Sequence, residues 1–131
     1  VCAETDQSTG AEWGCYLTAI GGTSTAINTG VANTNAIVAG CGTSGIAAKL
    51  CSDLDLNTYT DWYLPSKDEL DLMYVNLHIQ SLGSFGTNYY WSSSEYSGDE
   101  TAYACLQYFS YGGQSYDYKS DPAYVRAVRA F

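Results

Sequence analysis

Apolar positions follow a helical period most clearly after Trp62-Tyr63-Leu64, where Leu70, Met73, Tyr74 and Leu77 stand at i, i+3, i+4 and i+7. Pro65 precedes Ser66, and Ser66-x-x-Glu69 reads as a capping box. In that motif the serine hydroxyl accepts from the Glu69 N–H and the carboxylate reaches back to the Ser66 N–H. Asp68 adds negative charge at the positive end of the helix dipole. The spacing predicts a helix from about Lys67 to about Ile79.

Between Asn33 and Leu54, small and aliphatic residues recur (Ile37, Val38, Ile46, Ala47, Leu50, Leu54) around Gly40-Cys41-Gly42, which predicts two short helices with a glycine break. Val1 to Thr34 is rich in Gly, Thr, Ser and Ala. It reads as loops and short strands, with Trp13, Tyr16 and Ile20 as core anchors. Gly83 and Gly86 close the helical region. Tyr89-Tyr90-Trp91-Ser92-Ser93-Ser94 then opens a stretch of strand-forming aromatics broken by turn residues. Tyr124 to Phe131 alternates as a strand does. No repeat of fixed period is present. The sum is an α+β chain with much irregular structure, read as one domain over residues 1–131.

Charge narrows the partners. Fourteen carboxylates against five Lys and Arg give a net charge of −9, which repels nucleic acid and anionic membrane surfaces on average. No apolar run approaches the ~20 residues needed to span a bilayer, so membrane insertion is not expected. The five cysteines contain no C-x-x-C pair and have one histidine, His78, for company, so disulfides explain them better than zinc. The expected pairs are Cys2 with Cys15 and Cys41 with Cys51, in an extracellular or cell-surface compartment where thiols oxidise.

Three ordered segments, Asp61-Trp62-Tyr63-Leu64-Pro65-Ser66-Lys67-Asp68-Glu69-Leu70, Tyr90-Trp91-Ser92-Ser93-Ser94-Glu95-Tyr96 and Tyr124-Val125-Arg126-Ala127-Val128-Arg129, resemble the bacterial Lcl C-terminal domain family, named for the C-terminal domain of a Legionella collagen-like adhesin. Asp6 to Cys15 and Gly45 to Cys51 agree with it, so the resemblance covers almost the whole chain. It implies a strand-like segment upstream of Val1. More distantly the pattern is similar to formylglycine-generating enzymes and the C-type lectin-like group, which implies a small α+β core carrying long loops. The family implies surface adhesion by a homotrimer toward sulfated glycosaminoglycans. The net charge of −9 speaks against a polyanion unless Lys119, Arg126 and Arg129 cluster, and both arginines read as structural partners of carboxylates such as Asp61 or Glu95.

Nine of the 13 tyrosines fall between Tyr89 and Tyr124, interleaved with Ser, Gly and Asp. Tyrosine supplies broad amphipathic surface at low rotamer cost, and its small polar neighbours supply adaptable hydrogen bonds. The expected ligand-binding residues are Tyr96, Tyr103, Tyr108, Tyr111, Ser115, Tyr116, Asp117 and Tyr118, facing a protein or glycan on a host or neighbouring cell. The plainer alternative is ordinary strand tyrosines. A structural subunit of an extracellular fibre or trimer is the alternative at the level of function.

This alphabet is also reachable by changing adenines in an asparagine codon, and the family resembles targets of diversifying retroelements. Cys105 would then be one variant among others, or a buried free thiol. The acidic groups Asp53, Asp55 and Asp61, or Glu95, Asp99 and Glu100, offer oxygen to calcium but match no 12-residue loop, so no cofactor is expected. His78 and Cys105 lack the paired base that nucleophilic chemistry needs, so the chain is not expected to be an enzyme.

Overall fold

Ser66 starts its helix as the serine pattern requires: its hydroxyl accepts from the Glu69 N–H at 3.3 Å. The other half of the capping box is different. The Glu69 carboxylate leaves its own helix and accepts at 2.8 Å from the N–H of Gly30, the first residue of another helix. Only glycine fits there, because a Cβ on Gly30 would lie 2.7 Å from the Tyr63 ring.

The computed structural model describes residues 1–130. Its elements are β1 (Ser8–Ala11), α1 (Gly30–Gly40), α2 (Ala47–Ser52), α3 (Lys67–Met73), β2 (Tyr89–Glu95), β3 (Tyr103–Tyr108), β4 (Gln114–Tyr118) and β5 (Ala123–Val125). A single π turn, Tyr74–His78, continues α3. The helical span therefore ends where the spacing predicts, but its last part is wider than an α-helix, with Ile79 N–H bonded to the Tyr74 carbonyl at 3.0 Å. The two short helices around a glycine break are α1 and α2. No helix among the described residues is long and apolar enough to cross a membrane.

The strands form one sheet in the order β1-β5-β2-β3-β4, antiparallel except where β2 meets β5. The strand expected from Tyr124 to Phe131 is shorter, Ala123–Val125, and continues only as isolated bridges of Val128 to Cys2 and Tyr63; Phe131 lies outside the described residues. Strand alternation divides the core. Trp91, Leu106, Ala123 and Val125 join Trp13, Ile37, Ile46 and Trp62 in one apolar cluster, while Tyr90 joins Leu70, Met73, Phe109 and Val128 in the other. Trp13 is fully buried and its indole N–H donates to the Ser92 carbonyl at 2.9 Å. Tyr16 is no core anchor: it is 42% exposed, and Ile20 is partly buried against the first cluster.

Three buried or half-buried cations fasten irregular segments to this frame. Lys119 and Glu95, both with fully buried side chains, pair at 2.7 Å. The Glu95 carboxylate also accepts from the N–H groups of Ile20 and Gly21, and Lys119 donates to the carbonyls of Thr18 and Glu100. Arg126 pairs with Asp6 at 2.8 Å and donates to the carbonyls of Ala3, Gly83 and Ser84. Arg129 takes Asp61 through two nitrogens, at 2.6 and 3.0 Å. Of the carboxylates expected for the arginines, Asp61 is therefore used, whereas Glu95 belongs to Lys119.

The disulfide joins Cys15 to Cys41, correcting both expected pairs. Neighbours in sequence are not neighbours in the fold: Cys2 is carried to Val128, beyond β5, and Cys51 turns inward from α2 into the core with no exposed surface. Cys2, Cys51 and Cys105 are free. Closing the 26-residue separation stabilises the fold by about 3.5 kcal/mol in the chain-entropy account.

Removing one member of a buried ion pair strands the other charge. Lys119→Met should therefore lower unfolding free energy by about 3–5 kcal/mol. Lys49→Met, which breaks only the exposed Lys49–Asp53 pair on α2, should change it by about 0.5 kcal/mol or less. Urea unfolding followed by tryptophan fluorescence measures both, and equal effects would show that the Glu95–Lys119 pair contributes nothing special.

Candidate functional site

The eight expected contact residues do not form one surface. Side chains of a strand alternate between faces, and the β3–β4 register pairs Tyr103 with Tyr118 and Cys105 with Tyr116. These residues share a face. Leu106, Tyr108, Ser115 and Asp117 belong to the opposite one. Tyr96, in the turn after β2, completes the first group by stacking on Tyr116, with ring centroids 3.8 Å apart and planes at 8°. Tyr103 meets Tyr116 edge-on at 5.2 Å and Tyr118 at 4.7 Å. Tyr16 reaches the far side of Tyr118, edge to face at 5.9 Å. Five rings thus make one continuous aromatic surface.

The second group contains Tyr108, stacked on Tyr89 at 4.4 Å, and Tyr111 in the β3–β4 turn, edge-on to Tyr108 at 5.0 Å. Tyr111 is the most exposed ring of the region, at 68%. The turn beneath it needs glycine: Gly112 has φ +86°, and a Cβ there would lie 2.3 Å from the Tyr74 ring.

Tyr16 and Tyr89 extend the two groups beyond the expected residues. Nothing near Tyr16 in sequence marks it, because it follows Cys15 in an irregular segment that is brought to the sheet by tertiary bonds: Gly14 N–H to the Lys119 carbonyl, Leu17 N–H to the Thr101 carbonyl and Lys119 Nζ to the Thr18 carbonyl. Tyr89 carried a usable signal, since it opens β2 and alternation sets it apart from buried Tyr90.

The rings are held rather than loose. Tyr116 and Tyr118 remain 45% and 42% exposed while packed on neighbours, so little side-chain freedom remains to be lost on contact. A hydrogen bond with Tyr118, helped by partial burial and by the nearby charge of Asp99, pushes the Tyr103 phenol up to about 12. The Tyr96 phenol is raised as well, chiefly by Tyr116. Tyr96 and Tyr103 therefore stay neutral at physiological pH and can both donate and accept.

Asp99 and Asp117 are each held by local hydrogen bonds. Asp99 accepts from Thr101 Oγ1 and N–H, which lowers its pKa. Asp117 accepts from the Tyr118 N–H at 2.8 Å, and its proximity raises the pKa of Asp121. Cys105 lies beneath the rings, 5% exposed, and burial pushes its thiol up, away from the reactive thiolate.

The acidic groups considered for calcium are separated by other work: Glu95 holds Lys119 and Asp61 holds Arg129. Among the described residues no three His, Cys, Asp or Glu side chains gather as a metal site. His78 packs against the rings of Tyr74, Phe85 and Phe109. Two surface depressions, of 480 and 320 Å³, lie elsewhere, the first between Asp6 and Asp53, the second between Cys2 and Leu77.

A tyrosine whose folded pKa lies above its unfolded value favours the fold in its neutral form. That contribution is fully present below pH about 10 and is lost as pH rises toward about 12. Phenolate absorbance should therefore show late-ionising tyrosines in the native protein. Tyr118→Phe, which removes the hydrogen-bond partner, should bring one of them back toward the ordinary value; an unchanged titration would break the assignment to Tyr103.

The family model for the Lcl C-terminal domain matches residues 3–129. Comparison with curated proteins gave no match.

Proposed function

The chain belongs to the Lcl C-terminal domain family, and we propose from that premise that it is an extracellular adhesion domain whose tyrosine surface contacts a protein or glycan. The observation that carries this reading is the five-ring surface of Tyr16, Tyr96, Tyr103, Tyr116 and Tyr118, mutually packed yet open to solvent. Buried aromatic anchors at interfaces contribute about 2 kcal/mol or more each when desolvated by a partner. Rings already fixed by their neighbours lose little entropy in doing so. A surface of strand side chains, away from the depressions noted above, fits a broad partner better than an enclosed small molecule.

The role is binding rather than catalysis, and it needs no metal or cofactor. The short-helix and sheet frame with long ordered loops is similar to a C-type lectin-like arrangement. That likeness supports display of variable contact residues on a fixed scaffold.

Diversification by a retroelement is the finer form of this reading. Exposed Ser97, Asp99, Ser110, Tyr111, Ser115 and Tyr116 make no contribution to the two apolar clusters, so exchange among small and aromatic residues there spares the core. The gene neighbourhood decides this: a reverse transcriptase gene and a near-copy of the region coding for Tyr96 to Tyr118 are expected, and absence of both sinks the idea.

Contact itself is tested by screening glycan and protein arrays with the chain and with an alanine set at Tyr96, Tyr103, Tyr116 and Tyr118. Captured ligands should lose at least about 30-fold in affinity, the equivalent of about 2 kcal/mol, in the multiple variant. Retained binding by a variant with native circular dichroism would remove the tyrosine surface from the function.

A further inference from the structure

The β3–β4 register makes the strand face beneath the rings uncharged. Alternation gives that face Tyr103, Cys105 and Gln107 from β3 and Gln114, Tyr116 and Tyr118 from β4, and it sends Asp117 to the other side. Lys119, which follows β4, is buried against Glu95, with its ammonium 4.4 Å from the Trp13 ring centroid. The two strands therefore offer a partner no ionic group on the tyrosine side. Whatever settles there is held by ring contact and by the phenol hydroxyls.

The rings are also set in steps. Tyr96 and Tyr116 lie parallel, whereas Tyr103 stands at 81° to Tyr116 and 89° to Tyr96. Tyr118 turns only 31° from Tyr103, and Tyr16 stands at 82° to Tyr118. Two near-perpendicular corners result, one between Tyr116 and Tyr103 and one between Tyr118 and Tyr16. At each corner the edge of one ring meets the face of the next, and the angle between them receives a compact apolar ring. Successive centroids are 5.2, 4.7 and 5.9 Å apart, so the corners lie within about 10 Å of each other, close to the rise of three polyproline II residues at about 3.1 Å each.

Resting on the contact-surface reading above, we infer that the partner is a proline-rich protein segment in the polyproline II conformation, with prolines three residues apart seated in the two corners. Charge complementarity selects this occupant, because proline brings a saturated ring and no charge to an uncharged aromatic face. A polyproline II backbone makes no internal hydrogen bonds, so its carbonyls are free to accept from the phenol hydroxyls. It is extended and stiff before it binds, and aromatic-lined surfaces recognise it for that reason. A sulfated polysaccharide needs cations, and Lys119, Arg126 and Arg129 are all paired with carboxylates. A neutral glycan needs planar amides beside the rings, and those of this face are turned elsewhere: Gln107 is fully buried and donates to Asp71, and Gln114 donates to the Lys67 carbonyl. A second copy of the chain brings another −9.

The test titrates the whole chain by calorimetry with four probes of comparable length: an oligoproline peptide, a glycine-serine peptide, a neutral gluco-oligosaccharide and a heparin oligosaccharide. The oligoproline should bind most tightly, with an affinity that stays nearly constant as salt rises from about 0.05 to about 0.5 M, since no ion pair is made. Tyr116→Ala, which removes one wall of a corner, should weaken it about tenfold or more. Tyr103→Phe keeps the ring and removes a donor, and should weaken it about two- to tenfold. Tyr89→Ala, on the opposite face, should leave it unchanged.

Binding of any other probe as tightly as oligoproline overturns the inference, and so does equal weakening by Tyr89→Ala and Tyr116→Ala. If array ligands depend on the patch tyrosines but oligoproline does not bind, the proline-rich partner falls and the contact surface stands. If neither kind of ligand depends on those tyrosines, the contact surface falls with it.

Discussion

The Glu95–Lys119 pair is the constraint on which the tyrosine face depends. It lies at the end of β2, where the strand leaves the sheet, and immediately after Tyr118, the last residue of β4. Two desolvated charges are costly unless their remaining hydrogen-bonding capacity is filled. Here backbone groups from two separate segments fill it: Ile20 and Gly21 on the carboxylate and Thr18 on the ammonium from one, and Glu100 on the ammonium from the other. Satisfying the pair therefore requires the irregular segment after Trp13, the β2–β3 turn and the end of β4 to be in place together. That arrangement brings Tyr16 to Tyr118, and it holds the turn that carries Tyr96.

Much of the frame is a set of long-range substitutions for local structure. Glu69 caps a helix that begins 39 residues upstream, and Arg126 gathers the carbonyls of Ala3, Gly83 and Ser84. The central strand is lined with serines that are nonetheless buried, and their hydroxyls serve the backbone of other segments. Ser92 donates to Cys105 O, and Ser94 to Ser24 O. A short-stranded sheet with a long loop on one side thus stays ordered by polar contacts that cross between segments.

The local patterns were legible and the crossings were not. The helical period from Leu70, the hydroxyl half of the Ser66 cap and the glycine break between α1 and α2 are all determined within a few residues, and each is found where the sequence places it. The carboxylate half of the cap and the cysteine pairing depend on which distant segment arrives, and both departed from expectation. The tyrosine concentration was visible, but its division between two faces was not. That division follows from a register in which Tyr116 opposes Cys105, while the β2–β3 pairing shifts between Trp91 and Glu95. Tyr16 joins the site through tertiary structure alone.

Asp117 has a further consequence. β4 is an edge strand, and an open edge is a template for pairing with other chains. Bonds from Tyr108 to Gly113 and from Lys119 to Ala102 set the alternation, so Gln114, Tyr116 and Tyr118 turn their amides outward. The Asp117 carboxylate takes the Tyr118 N–H, and the Tyr118 carbonyl receives Asp121 N–H. The outward edge is thereby cut to Gln114 and Tyr116, too short to seed a ladder. The strand thus carries its own stop against fibril growth, one that does not depend on the exposed rings beside it.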